Sequence, residues 1–229
     1  TDCPVVYEAA LDSKPLFTGG RSITGWQQAE GGLWTAHVPQ VAAGEWYFEQ
    51  LWVNGRRATR ARSPNSFYYY VLGAVEHGID PDTGEPANLA GRTFRAREAD
   101  IKPLLDVPQE GLTDVTLIAY HSWETSRCRI AHVEAGNPTV HVTARIPWGF
   151  DRWGPNMPYH LENFKAALDE PGEWFLARDG TLYYMPLPGE EKTAAEDIAP
   201  VLERFVQIVG EPALGLAVEH IILRGLSFR

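Results

Sequence analysis

The run GEWYFEQLWVNGRRATRA, residues 44–61, constrains the fold more than any other stretch of this chain. Asn54 and Gly55 both tolerate positive φ, as the two-residue turn of a tight β-hairpin requires, and aromatic and β-branched residues flank them. A second run, GEWFLARDGTLYYMP at residues 172–186, places Asp179 and Gly180 between two strand-forming segments in the same way. Both runs open with Gly, Glu, Trp and a further aromatic residue, but two occurrences do not define a repeat.

Shorter segments extend the pattern. PVVYEA and PLFTGG are strand-like and separated by a turn, and GLWTAHV alternates Leu33, Thr35 and His37 against Trp34, Ala36 and Val38. DVTLIAYHSWETSRCRIAHVEA predicts one or two strands around a polar middle. Residues 73–92 are rich in Gly, Pro and Asp and predict a long loop. READIKPLL predicts a short helix interrupted at Pro103. Leu161, Phe164, Ala167 and Leu168 fall at helical spacing and predict a helix ending before Pro171. VLERFVQIVG and VEHIILRGLSFR, residues 201–210 and 218–229, predict two further strands around Pro212. Strand and turn alternating every ten to twelve residues or so is the rhythm of a β-solenoid or a β-sandwich.

With 229 residues the chain is long enough to bury a sizeable core without a metal or disulfide staple. A formal charge of -10 argues against nucleic acid and against anionic membrane surfaces as partners. The exception is GRRATRAR, residues 55–62, expected to protect a strand edge and to pair an Arg or two with the surplus carboxylates. Cys3 and Cys128 have neither disulfide nor metal spacing. No run reaches the length of a membrane span, and no signal peptide is visible. No motif implies a cofactor or a metal. GGRSITG approaches a nucleophile elbow but carries Thr24 in place of the second Gly.

Eight Trp, nine Tyr and nine Phe hint at sugar, because pyranose rings stack on flat aromatic faces. The densest group of chemistry-bearing residues lies in YHSWETSRCR and IPWGFDRWGPNMPYH. Together they hold His121, Trp123, Arg127, Trp148, Trp153 and Tyr159 as candidate substrate-binding residues. Glu124 and Asp151 are the candidate catalytic carboxylates. Arg152 adds a forked donor suited to hydroxyl groups. The competing reading makes the Trp rings core plugs beneath loops and Arg127 the partner of a buried ion pair. His121, Cys128 and His132 lack the spacing of a metal site and are expected to be scattered strand residues.

The segments PVVYEAALDSKPLFTGGRSITGW, WYFEQLWVNGRRATRAR, YHSWETSRCRI, ENFKAALDEPGEWFLARDGTLYYMPLPGE and VEHIILRGLSF resemble, in that order, the N-terminal part of bacterial right-handed parallel β-helix proteins similar to glycoside hydrolase family 141. The resemblance implies a mainly β fold, part of a right-handed parallel β-helix with an inserted, sandwich-like β region. Residues 1–20 would be an early rung, 21–200 the insertion, and 201–229 the resumption of the solenoid. The chain would then be a piece of a longer secreted protein, extracellular or periplasmic. Its expected partners are a plant cell-wall or related polysaccharide and the remainder of its own β-helix. Catalytic carboxylates are expected on later rungs, so this region would shape the cleft rather than carry the reaction.

Two other function classes stay open. One is a non-catalytic glycan-binding or capping module. The other is a polysaccharide lyase or epimerase, for which the basic cluster Arg56, Arg57, Arg60 and Arg62 would face uronate carboxylates.

Overall fold

The structure, a computed structural model, describes residues 3–80, 82–152 and 154–229. The first expected hairpin is present: Asn54 and Gly55 adopt φ of 51° and 74° between the strands Trp52–Val53 and Arg56–Arg57. The second joins Glu173–Leu176 to Thr181–Tyr184, with Gly180 at φ 86°. Among the described residues the strands form sheets of eight, five and four members and three isolated pairs, so the chain is mainly β.

The eight-stranded sheet holds the longest strands. Thr116–Tyr120 and Thr125–Glu134 form its central hairpin, and Pro158–Glu162 pairs antiparallel with Thr116–Tyr120 on the other side. Leu117, Ala119, Ile130, Tyr159 and Leu161 project from one face into a core closed by Ile101 and Leu104 of the helix Glu98–Leu105. That helix continues through Pro103. It is only eight residues long, so the proline costs a single backbone hydrogen bond near its end.

The five- and four-stranded sheets share a second core. Trp34, Ala36, Trp174, Leu176, Leu182 and Tyr184 come from the five-stranded sheet, and Ile23, Val53 and Ala199 from the four-stranded one. The strand Thr59–Arg60 lies parallel to Glu173–Leu176, and two residues on Arg62–Ser63 joins the eight-stranded sheet, so residues 59–63 tie the two cores together.

Residues near the two ends of the chain pair with each other. Val5–Glu8 runs parallel to Ile221–Arg224, and Leu16–Phe17 runs parallel to Ser227–Phe228. Phe17 stacks on Phe228 with ring centroids 5.4 Å apart.

Three local expectations are corrected. The segment from Leu161 to Leu168 is not a helix: its start belongs to the strand Pro158–Glu162, and only Lys165–Ala167 forms a 3-10 turn. Tyr159, His160 and Leu161 are all buried because that strand has neighbours on both sides and is covered on both faces, which blurs the alternation a half-buried strand would show. Residues 201–210 form no strand, although the Val201 and Leu202 N–H groups donate to the Gly19 carbonyl, and Phe205, Val206, Ile208 and Val209 are exposed. The expected loop at 73–92 contains the short strands Gly73–Ala74, Gly78–Ile79 and Pro86–Ala87.

Candidate functional site

The central hairpin of the eight-stranded sheet turns through residues 121–124, closed by the His121 N–H donating to the Glu124 carbonyl at 2.9 Å. The turn lifts Trp123 into solvent at 66% exposure, so it is not a core plug. Its ring meets Trp148 edge-on, with centroids 6.0 Å apart and planes at 76°. The Arg152 guanidinium carbon lies 5.9 Å from the Trp148 centroid. The two segments singled out in the sequence therefore meet, and they meet through their indoles.

The other expected residues divide. His121 approaches Ser126 Oγ through Nε2 at 2.9 Å, and burial holds its imidazole below the usual range against the opposing pull of Glu124. Glu124 is exposed beside Trp123. Asp151 lines a cavity of about 650 Å³ together with His77, Arg95 and Asn156, and Glu124 takes no part in that cavity. Tyr159 does not reach a ligand surface: it is fully buried, its ring 5.1 Å from Phe94 and 5.6 Å from Tyr69. A residue alternating with His160 and Pro158 must face the opposite side of the sheet, and here that side is the core. Trp153 lies outside the described residues.

The sheet face opposite that core carries the densest set of charges. Antiparallel register places Arg129, Thr116, Glu162 and Arg62 in one cross-strand row and Arg127, Ile118 and His160 in the next. Glu162 takes a 2.9 Å contact from His160 Nε2, and His160 Nδ1 lies 3.1 Å from the Tyr120 hydroxyl. Burial works to raise the Glu162 carboxyl, but the hydrogen bond and charge of His160, followed by Arg60 and Arg127, outweigh it and leave the carboxyl below its ordinary range. Tyr120 packs edge-on against Tyr68 at 4.8 Å. From the segment before the first hairpin, Glu49 reaches over this face and takes one N–H from Arg127 and one from Arg129, each at 2.8 Å. Arg127 is thus an ion-pair partner, but a half-exposed one.

Glu49, Arg129, His160 and Glu162 were not among the expected site residues. For Arg129, His160 and Glu162 the signal was the period of two in SRCRI and YHLE, where charged residues alternate with Ser126, Cys128, Ile130, Tyr159 and Leu161; Glu49 lies in neither run. That alternation turns Cys128 away from the charged face, and burial pushes its thiol up to about 12, as expected of a structural residue. The basic cluster is dispersed over three sheets: Arg56 and Arg57 in the four-stranded, Arg60 in the five-stranded and Arg62 in the eight-stranded. Arg60 and Arg62 reach the charged face or its margin, while Arg56 donates to the Tyr184 hydroxyl at 3.2 Å.

No protein-family model and no curated protein matches this sequence. A solved structure described as "Glycoside hydrolase" is similar, with a TM-score of 0.75 and 25% identity. The match covers 99% of this chain and 38% of that one, so this chain spans well under half of the protein it resembles. The fold is that of a glycoside hydrolase-like protein.

Proposed function

We propose that this chain is the glycan-binding region of a carbohydrate-active protein, a glycoside hydrolase acting on plant cell-wall or related polysaccharide. In this reading the chain walls the cleft and does not itself carry the catalytic pair. The observation that carries it is the exposed indole of Trp123 set edge-on to Trp148 at a hairpin tip beside hydrogen-bonding side chains. An exposed tryptophan of this kind offers a flat apolar face to a sugar ring, and Arg152 and Glu124 supply polar groups beside it. The similarity to a structure described as a glycoside hydrolase supports the class.

The two parallel pairings between the chain's ends support the further reading that residues 1–20 and 201–229 are coils of a right-handed parallel β-helix flanking an inserted region. A secreted location goes with this assignment. Asp151 lines the 650 Å³ cavity and Glu124 does not, which fits a non-catalytic role for this region, because glycoside hydrolysis needs two carboxyl groups facing one bond.

The test is to incubate the chain with a panel of plant polysaccharides, measuring both retention on the insoluble polymer and release of reducing ends. Retention without release, lost in Trp123→Ala, is the expected result. Release of sugar would place the catalytic carboxylates inside this chain, and the absence of retention on every polymer would overturn the reading.

A further inference from the structure

The geometry points to a site for a carboxylate-bearing saccharide, a uronic acid unit, on the charged face of the eight-stranded sheet. This rests on the glycan reading above and names the chemistry of the sugar.

The Glu49 carboxylate is held as a ligand carboxylate would be. Arg127 and Arg129 stand two residues apart on one strand, and each gives one N–H to a different oxygen of Glu49 at 2.8 Å. Two guanidinium groups spaced to take the two oxygens of one carboxylate form a receptor for that group. Glu49 comes from a segment with no helix or strand between Gly44 and Leu51, so its side chain can leave without breaking a sheet.

The charge around it is unbalanced. Arg60 lies 3.7 Å from Glu49, its side chain only 5% exposed, and none of its three guanidinium nitrogens has a hydrogen-bond partner. Buried donors of that kind are rare in folded proteins and mark a place where an acceptor belongs. Arg62, in the row of Glu162, donates its guanidinium N–H groups to the carbonyls of Pro64 and Phe67. Three guanidinium groups, Arg60, Arg127 and Arg129, therefore meet two carboxylates, Glu49 and Glu162, on a chain whose overall charge is -10. A local excess of positive charge on an acidic protein selects an anion. The exposed ring of Tyr68, packed on Tyr120, lies at the margin of this face and supplies the apolar contact a pyranose needs. Glu49 then acts as an internal occupant that an incoming uronate displaces.

The probe is an oligogalacturonate, compared with its fully methyl-esterified form of equal length, titrated calorimetrically against the chain and two variants. Tm is recorded for each variant. The wild-type chain is expected to bind the acidic oligomer at least tenfold more tightly than the ester. Arg127→Met is expected to remove that preference with little change in Tm, since Arg127 is half exposed. Glu49→Gln is expected to tighten binding of the acid several-fold by weakening the internal competitor. Equal affinity for acid and ester, with retention on neutral polysaccharide still lost in Trp123→Ala, would overturn the uronate site and leave the glycan reading standing. A preference that survives Arg127→Met, or weaker acid binding in Glu49→Gln at unchanged Tm, would overturn the placement. Binding of neither oligomer, with no retention on any polysaccharide, would remove both readings.

Discussion

Asp197 accepts a 2.7 Å hydrogen bond from the indole Nε1 of Trp26, and its other carboxyl oxygen is buried with no partner. Burial pushes this carboxyl up to about 6, against the lowering effect of the Trp26 hydrogen bond and with the help of Glu190 and Glu196. A carboxyl with a raised pKa in the fold favours the protonated native state. Its contribution is complete below the unfolded value near 3.8 and is lost as pH rises through about 6. Asp197→Asn keeps an acceptor for Trp26 and removes the charge. The variant is expected to melt at a higher temperature than the wild type at pH 8, by a difference worth roughly 2 kcal/mol, and to match it near pH 4. Thermal melts at the two pH values check this; an equal gap at both would mean that Asp197 is not the titrating group.

Glu162 has the opposite sign. Its carboxyl is held below the ordinary value of 4.5 because His160, Arg60 and Arg127 outweigh burial. Its contribution is therefore present above about 4.5 and is lost as pH falls through the lower folded value. Glu162→Gln is expected to cost about 1–3 kcal/mol at pH 7, because it strips one of two carboxylates from the buried Arg60. The penalty should shrink on acidification below pH 4. Urea unfolding at pH 7 and pH 3.5 measures it, and a penalty that grows in acid would refute the assignment.

Much of this arrangement was legible in the sequence, and the failures have physical reasons. Both hairpin turns were recoverable because only certain residues accept positive φ, and Asn54, Gly55 and Gly180 do so. YHSWETSRCR and IPWGFDRWGPNMPYH, grouped in the sequence by their residue types, do meet, through Trp123 and Trp148. Tyr159 was misplaced because a buried strand mixes core-facing and charged residues within five positions, and the same mixing made Leu161 look helical. Glu49 could not be found from sequence: its partners Arg127 and Arg129 lie about eighty positions away, and only sheet register brings them together.

Gly180 provides a local test of the second hairpin. Its N–H donates to Ala177, its carbonyl accepts from Val38, and a Cβ there would fall 2.6 Å from the Val38 oxygen. Gly180→Ala adds that clash to the strain of a φ of 86° and is expected to cost at least about 2 kcal/mol. Gly44→Ala is the control. Gly44 has a similar φ of 72° with nothing within 4 Å, so only the conformational cost of about 1–2 kcal/mol applies. Equal losses of stability in the two variants would show that the Val38 contact gives way freely.

The remaining prediction concerns the apolar surface beside the paired ends of the chain. Phe205, Val206, Ile208, Val209, Leu223 and Phe228 border a cavity of about 580 Å³, and each side chain is substantially exposed, Val209 at 66%. An apolar lining of this extent favours contact with another apolar surface over contact with water. At tens of micromolar the 229-residue chain is expected to self-associate reversibly through it. Ile208→Lys combined with Val209→Glu should raise the dissociation constant at least tenfold while leaving the melting temperature within about 2 °C, because neither side chain is part of a core. Sedimentation velocity across a hundredfold concentration range measures both proteins. A wild-type chain that stays monomeric throughout would show that this surface is closed by its own residues in solution, and association unchanged by the double substitution would move the contact to another face.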